Sequence, residues 1–463
     1  MTIISEQQDR AWFKERIMRH GSEMFRLALP ISMSRLGVMM LGIVDTAVVG
    51  RYATEHLAWL NLANQAVIML LLVIGLGILN GVVVMTASAY GRGDYGECGQ
   101  VWRRSIPFSL GFSVLLILVC WPAEWWLLLL GQTADNAEQA GVLIRVLVLG
   151  LPAHLLFYAS NSFLEGTGRA VIGFKLMVAA NIVNLFFDYA LVFGAFGFPE
   201  MGSEGSAWTS TIVRWFLASL IIAYIWFSPK NSIYGVRIKG TAKWRDWVEQ
   251  RTIGYASATS MATEMMAFAA VVVFAGWLGI VPLAAYGIIF QLLAVPFMMA
   301  SGFGVAGSIR VGISLARYDR ADTVLGGLLC VGMNVVLMMI FSSIMIFFTG
   351  DIMGLFTADP AVMHILVPLI GLVIIMMLFD AFQGVLSNLL RGLKETWVPT
   401  AIQTVAYIGL MLPLSYYLGI ALERGVQGLI EGATIASIFS LTSLSIWFAW
   451  ITRAKSLLFI PKD

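Results

Sequence analysis

Apolar residues run through this chain in long unbroken stretches rather than in alternation with polar ones. Stretches of roughly 20 apolar residues, each able to cross about 30 Å of hydrocarbon, recur from end to end. Hydropathy and the Gly, Pro and charged residues that interrupt it place spans at 24–49, 57–85, 104–129, 141–163, 171–195 and 206–227. A second set follows at 252–277, 283–308, 324–349, 363–389, 398–421 and 428–451. Continuous runs predict helices, since barrel strands alternate lipid-facing and lumen-facing residues. The pattern is that of an all-α membrane protein with twelve transmembrane helices.

Composition agrees. Of 463 residues, 59% are hydrophobic and only 12% charged, about half the usual charged share of a soluble domain. No soluble domain of useful size fits between the spans. The first 26 residues are charged and carry no apolar core ahead of a cleavage site, so the first helix is expected to act as an uncleaved signal anchor. Cys98, Cys120 and Cys330 are scattered, without metal spacing and without an even count for a disulfide framework.

The placement of charge says more than its net value of +2. Lys and Arg gather at the N-terminus (Arg16, Arg19, Arg26), in the even-numbered loops (Arg92, Arg103, Arg169, Arg317, Arg391) and in the long central loop (Lys230, Arg237, Lys243). Odd-numbered loops favour Glu124, Asp135, Glu200, Asp351 and Asp359. The positive-inside rule then puts both termini of a multi-pass membrane protein in the cytoplasm.

The two halves align at an offset close to 226 residues. Gly50, Ala58 and Gln65 fall on Gly276, Ala284 and Gln291, and Gly166 falls on Gly392. Arg92 and Asp94 match Arg317 and Asp319 after one residue of slippage. Each unit holds six helices, an even number, so both enter the membrane in the same sense. Such a parallel repeat predicts two six-helix lobes, 1–228 and 251–463, joined by a basic linker at 229–250. Duplicated halves of this kind suit a transporter, with a cavity between them.

Few ionisable residues fall deep within spans, and a carboxylate at the bilayer centre costs about 2.5–3.5 kcal/mol even on lenient scales. Asp45 lies in the first span, within GIVDTAVVG. Asp188 lies in the fifth, with Asn184 one helical turn before it on the same face. Both spans run outward, which sets the three residues at similar depth. Two carboxyls and an amide can hold Na+ or share a proton, and a plain helix-bridging hydrogen-bond cluster is the structural alternative. In the second half Glu264 stands in the seventh span and Asp380 in the tenth. Neither repeats Asp45, whose equivalent is Val271, so scaffold is shared and chemistry is not. A division into one lobe for coupling and one for substrate fits that difference.

Met261, Met265 and Met266 beside Glu264 would make a soft, adaptable wall, though such clusters also serve plain packing. Arg35 and Arg214 are intramembrane cations whose roles the sequence leaves open, and His154 repeats the position of Asp380. Gly75, Gly77 and Gly81, and again Gly302, Gly304 and Gly307, predict close helix packing. Pro296, Pro368 and Pro413 predict kinks.

At these residues the chain resembles the multidrug and toxic compound extrusion (MATE) family, in its bacterial NorM-like branch. The resemblance rests on VDTAVVG around Asp45, the Asn184–Asp188 spacing, GSEGSAWTS at 202–210, and Glu264. SIRVG at 308–312, Asp380 and LLRGLKET at 389–396 extend it over nearly the whole chain. It implies two six-helix lobes in a V that export cationic drugs against Na+ or H+ entry. It also implies an N-lobe cation site at Asp45, Asn184, Asp188 and Ser210, and C-lobe acids at Glu264 and Asp380. One departure is Met376, four residues before Asp380, where some relatives carry a tyrosine. The loss of that hydroxyl weighs against a C-lobe Na+ site and toward coupling in the N-lobe.

The expected function is therefore secondary active multidrug efflux, exchanging organic cations for H+ or Na+, with no cofactor beyond the coupling ion. A flippase for lipid-linked glycans of the same superfamily would line its cavity with cations, whereas acids prevail at mid-span here. A membrane-embedded enzyme would need a His, Cys or metal constellation that four scattered histidines do not offer. Small organic cations and the lipid bilayer are the expected partners, nucleic acid is not, and the chain is expected to be a monomer.

Overall fold

The computed structural model describes residues 10–64, 69–238, 243–357 and 359–453. Among them there is no strand. The first half contains α1 (Arg10–Tyr52), α2 (Thr54–Ala63), α3 (Met69–Arg92), α4 (Tyr95–Cys120), α5 (Ala123–Leu129), α6 (Ala134–Val148), α7 (Leu151–Gly166), α8 (Ala170–Val192) and α9 (Ser203–Phe227). The second contains α10 (Val248–Leu278), α11 (Ile280–Ala316), α12 (Arg320–Phe347), α13 (Thr349–Phe356), α14 (Pro360–Gly392), α15 (Trp397–Thr404), α16 (Leu412–Tyr416) and α17 (Gly425–Ile451). Gln65, one member of the repeat alignment, and Lys239 of the linker lie outside the described residues.

Eleven of the described stretches are long and apolar enough to cross a membrane, and a bent pair makes a twelfth. That pair corrects the expectation of one continuous span at 141–163. α6 and α7 meet at 41° around a short break. Pro152 explains where the second helix starts: its missing N–H is tolerated in a first turn and not in a helix interior. The eleventh span is irregular as well. Val405–Met411 and Tyr417–Ala421 are π-helical turns on either side of α16, which holds Pro413. Exposed Trp121, Trp125, Trp277 and Trp450 stand near helix ends, where an amphipathic indole suits the membrane interface.

The helices pack into two compact units whose limits differ from the repeat boundaries. One comprises the N-terminal segment through Ser32 together with Thr259 onward, and the other is Met33–Ala258. The helix that opens each repeat, α1 and α10, is thus shared between units. Positions 33 and 259, where the division falls, differ by the repeat offset itself, so the exchange is reciprocal. Packing explains it. A Cβ on Gly302 would collide with the backbone of Ser32, and one on Gly77 with the backbone of Ala258. Ser32 and Ala258 are repeat partners, and only a glycine opposite each admits so close an approach. Ser32 Oγ also donates to the Met299 carbonyl at 3.0 Å.

Ion pairs fasten the first segment of α1 to the unit that holds α11 and α12. Arg16 reaches Asp322 at 2.5 Å and Asp319 at 3.3 Å, Arg19 reaches Asp322 at 2.7 Å, and Arg310 pairs with Glu23. The buried His20 lies 3.2 Å from Asp322 and 3.1 Å from Arg310. The repeat match between Asp94 and Asp319 has a local cause too. Each caps a helix, accepting the backbone N–H of Glu97 at 3.0 Å and of Asp322 at 2.9 Å respectively. On this basis Asp322→Asn, which removes a charge shared by two arginines and a histidine, is expected to destabilise the purified protein by about 1–2 kcal/mol. Thermal unfolding followed by tryptophan fluorescence measures it. An unchanged midpoint would show that the ion pairs do not hold the segment in place.

Candidate functional site

In the unit Met33–Ala258, the structure gathers Asp45 from α1, Asn184 and Asp188 from α8, and Ser210 from α9. Asp45 is 6% exposed, Asn184 1% and Asp188 fully buried. Asn184 Nδ2 donates to Asp45 Oδ1 at 2.9 Å, and Ser210 Oγ donates to Asp45 Oδ2 at 2.7 Å. Both oxygens of Asp45 are therefore satisfied from two different helices. The Asp188 carboxyl lies against that of Asp45, with the hydroxyls of Ser206 and Thr209 nearby. The Thr209 hydroxyl is committed to the Gly205 carbonyl at 3.0 Å.

The cluster is short of donors. The Ser206 and Thr209 hydroxyls approach Asp188 without making a well-formed hydrogen bond to either of its oxygens, and Asn184 Oδ1 is buried without a partner. Buried polar atoms are ordinarily paired, and two bare carboxylates side by side in an apolar surround repel each other strongly. A proton on one carboxyl, or a small cation among the oxygens, would supply what is missing. The donor set is all oxygen, which suits a hard ion. Among the described residues no three His, Cys, Asp or Glu side chains converge as a zinc-type centre would require.

One basic group, Arg214, lies beside this cluster. Arg214 donates to the Leu147 carbonyl at 3.1 Å and sits within electrostatic reach of Asp45 and of His154. Arg35 faces a different acid, Glu165, which is 6% exposed and accepts from Asn161 at 2.7 Å. The sequence reading passed over Glu165 because it occupies the last turn of a span, where an acid looks like a loop residue.

The second unit brings Glu264 of α10 and Asp380 of α14 within electrostatic reach of each other. Both are half-buried. Between them stands a residue the sequence reading did not single out, Tyr407, only 2% exposed and set in the π-helical turn of the eleventh span. Gln383 Nε2 donates to the Tyr407 hydroxyl at 2.7 Å and to Asp380 Oδ1 at 3.3 Å. A hydroxyl therefore stands beside the acid pair, contributed by the eleventh span and not by position 376. Met376 itself is buried. Of the three methionines beside Glu264, Met261 and Met265 are half-buried with it, while Met266 is exposed.

Known proteins resemble this chain over nearly its whole length. The MatE family model matches residues 30–190 and 256–417, one match to each repeat. "Probable multidrug resistance protein NorM" of Caulobacter vibrioides is 31% identical over 427 residues, covering 92% of this chain and 90% of the relative. "Multidrug resistance protein PmpM" of Pseudomonas aeruginosa is 29% identical, covering 91% of each chain. Among solved structures, the eukaryotic MATE transporter AtDTX14 superposes with a TM-score of 0.84 at 18% identity, over 94% of this chain and 96% of that one. An outward-facing multidrug resistance MATE family transporter of the MOP superfamily gives 0.85 at 16% identity, again over 94% and 96%. At such identities the structures speak for the fold, and the family match and the NorM relatives speak for the lineage. With a family model covering both repeats and a relative above 30% identity across nearly its whole length, the chain belongs to the MatE family of membrane transporters, in its NorM-like branch.

Proposed function

We propose that this protein is a multidrug efflux antiporter that exports small organic cations in exchange for H+ or Na+ entering at the Asp45–Asp188 cluster. The observation that carries the reading is the donor deficit there: two adjoining buried carboxyls, with Asn184 and Ser210 bonded to Asp45 and only the poorly aligned hydroxyls of Ser206 and Thr209 near Asp188. An ion or proton that comes and goes from such a cluster changes its charge, and with it the packing the surrounding helices prefer.

The energetics suffice. One charge moving inward through 100 mV supplies about 2.3 kcal/mol before any concentration gradient is added. Exchange also requires that ion and drug favour different conformations, since equal affinity for both shifts nothing. Glu264 and Asp380, half-buried and acidic, are the groups proposed to receive the organic cation. The names of the relatives, multidrug resistance proteins, support the export of drug-like organic compounds.

Ethidium transport by the purified protein in vesicles tests this, with a proton gradient and a sodium gradient imposed in turn. One gradient is expected to drive uptake into vesicles and the other not. Transport that is indifferent to both would sink the antiport reading. Asp45→Asn is expected to reduce gradient-driven transport to background with protein level unchanged. Ser210→Ala, which deletes one hydrogen bond to the Asp45 carboxylate, is expected to shift the affinity for the driving ion about tenfold, tighter for H+ and weaker for Na+. A shift in the ion concentration for half-maximal rate measures that effect, and no shift would remove Ser210 from the ion site.

A further inference from the structure

A line of side chains in the second unit connects the acid pair to a buried arginine. Arg391, in the last turn of α14, donates through Nη2 to Ser260 Oγ at 3.1 Å. Ser260 donates in turn to Gln403 Oε1, which also accepts from Ser387 at 3.2 Å. Gln403 Nε2 donates to Gln383 Oε1 at 3.0 Å, and Ser440 donates to the same oxygen at 3.2 Å. Gln383 Nε2 then donates to Tyr407 and Asp380. Every one of these side chains but Asp380 is buried.

All the donors point one way. A guanidinium can only donate, so Ser260 must pass its own hydrogen onward to Gln403. A carboxylate can only accept, so Gln383 must turn its amide nitrogen toward Asp380 and its oxygen toward Gln403. The two charged ends thereby fix the orientation of both amides. Tyr407 accepts from Gln383, which leaves its own hydrogen for the carboxyls beside it, Glu264 and Asp380. Hydrogen bonds aligned head to tail polarise one another.

We propose that Arg391, Ser260, Gln403 and Gln383 form a directional relay that holds Tyr407 as a donor between Glu264 and Asp380 and so sets how strongly the acid pair captures an organic cation. These are positioning residues. They rest on the proposed role of the acid pair and extend it to groups three side chains away. Amides in the middle of the line do not pass protons readily, so the relay transmits polarisation and orientation.

Ethidium transport kinetics in vesicles test this. Arg391→Met is expected to raise the KM about fivefold or more with maximal rate held within about twofold, the signature of lost ground-state capture. Arg391→Lys, which keeps a cationic donor, is expected to recover most of the loss. Gln403→Glu preserves side-chain volume and the acceptor for Ser260 but removes the donor to Gln383, and it is expected to behave like Arg391→Met. The Arg391 charge also reaches Glu264 directly, so the decisive measurement is the double variant Gln403→Met with Tyr407→Phe, which breaks the line and leaves that charge in place. If the relay acts through the tyrosine hydroxyl, the KM of the double variant equals that of Tyr407→Phe alone. Effects that multiply, as expected for independent sites, overturn the relay. Glu264→Gln with Asp380→Asn separates the two layers of the reading. A raised KM there alongside multiplying effects discards the relay and keeps the acid pair, whereas an unchanged KM discards both.

Discussion

A carboxyl group among apolar helices must be satisfied by partners that travel with it, because lipid offers none. This chain meets that requirement unequally at its two acidic clusters. Around Asp45 an amide and a hydroxyl from separate helices complete one carboxyl, while Asp188 beside it has only poorly aligned hydroxyls within reach. Around Glu264 and Asp380 a tyrosine and a glutamine are already in place. The first cluster is short of positive charge or protons, and the second is furnished with donors. That difference is the ground for the division of labour proposed above, with a small ion at the first cluster and, at the second, a larger cation that arrives with its own charge and apolar surface.

The repeat supplies the frame for this asymmetry. Helix caps at Asp94 and Asp319, and glycine seats at Gly77 and Gly302, recur in both halves because both halves must fold alike. Away from these positions the halves diverge. Glu165 and Arg391 occupy the same place in the repeat with opposite charge, and each contacts side chains suited to its own sign. The position of Asp380 is His154 in the first half.

The elements and the acids were legible in the sequence for the same reason: charge within an apolar run stands out. Asp45, Asn184 and Asp188 could be placed at one depth by counting turns, and the structure brings them together. Tyr407 and Gln383 could not be found this way, since neutral polar and aromatic residues are common in membrane helices and carry no hydropathy signal. The break at Pro152 was written in the sequence but hidden by the apolar residues around it. Which part of a long helix packs on which neighbour has no counterpart in hydropathy at all. The boundaries at 33 and 259 therefore emerged only from the packing, although the small residues that set them, Gly77 and Gly302, were visible as patches.

The exchanged segments of α1 and α10 impose an order on biogenesis. Arg16 leaves the ribosome 306 residues before its partner Asp322, an interval of about 15–60 s at ordinary translation speeds. Throughout that time the start of the first helix sits in the bilayer without the ion pairs and glycine seat that receive it. The nascent first half consequently cannot reach its mature packing alone. Severing the polypeptide within 229–250 would yield fragments that each need the other as a template.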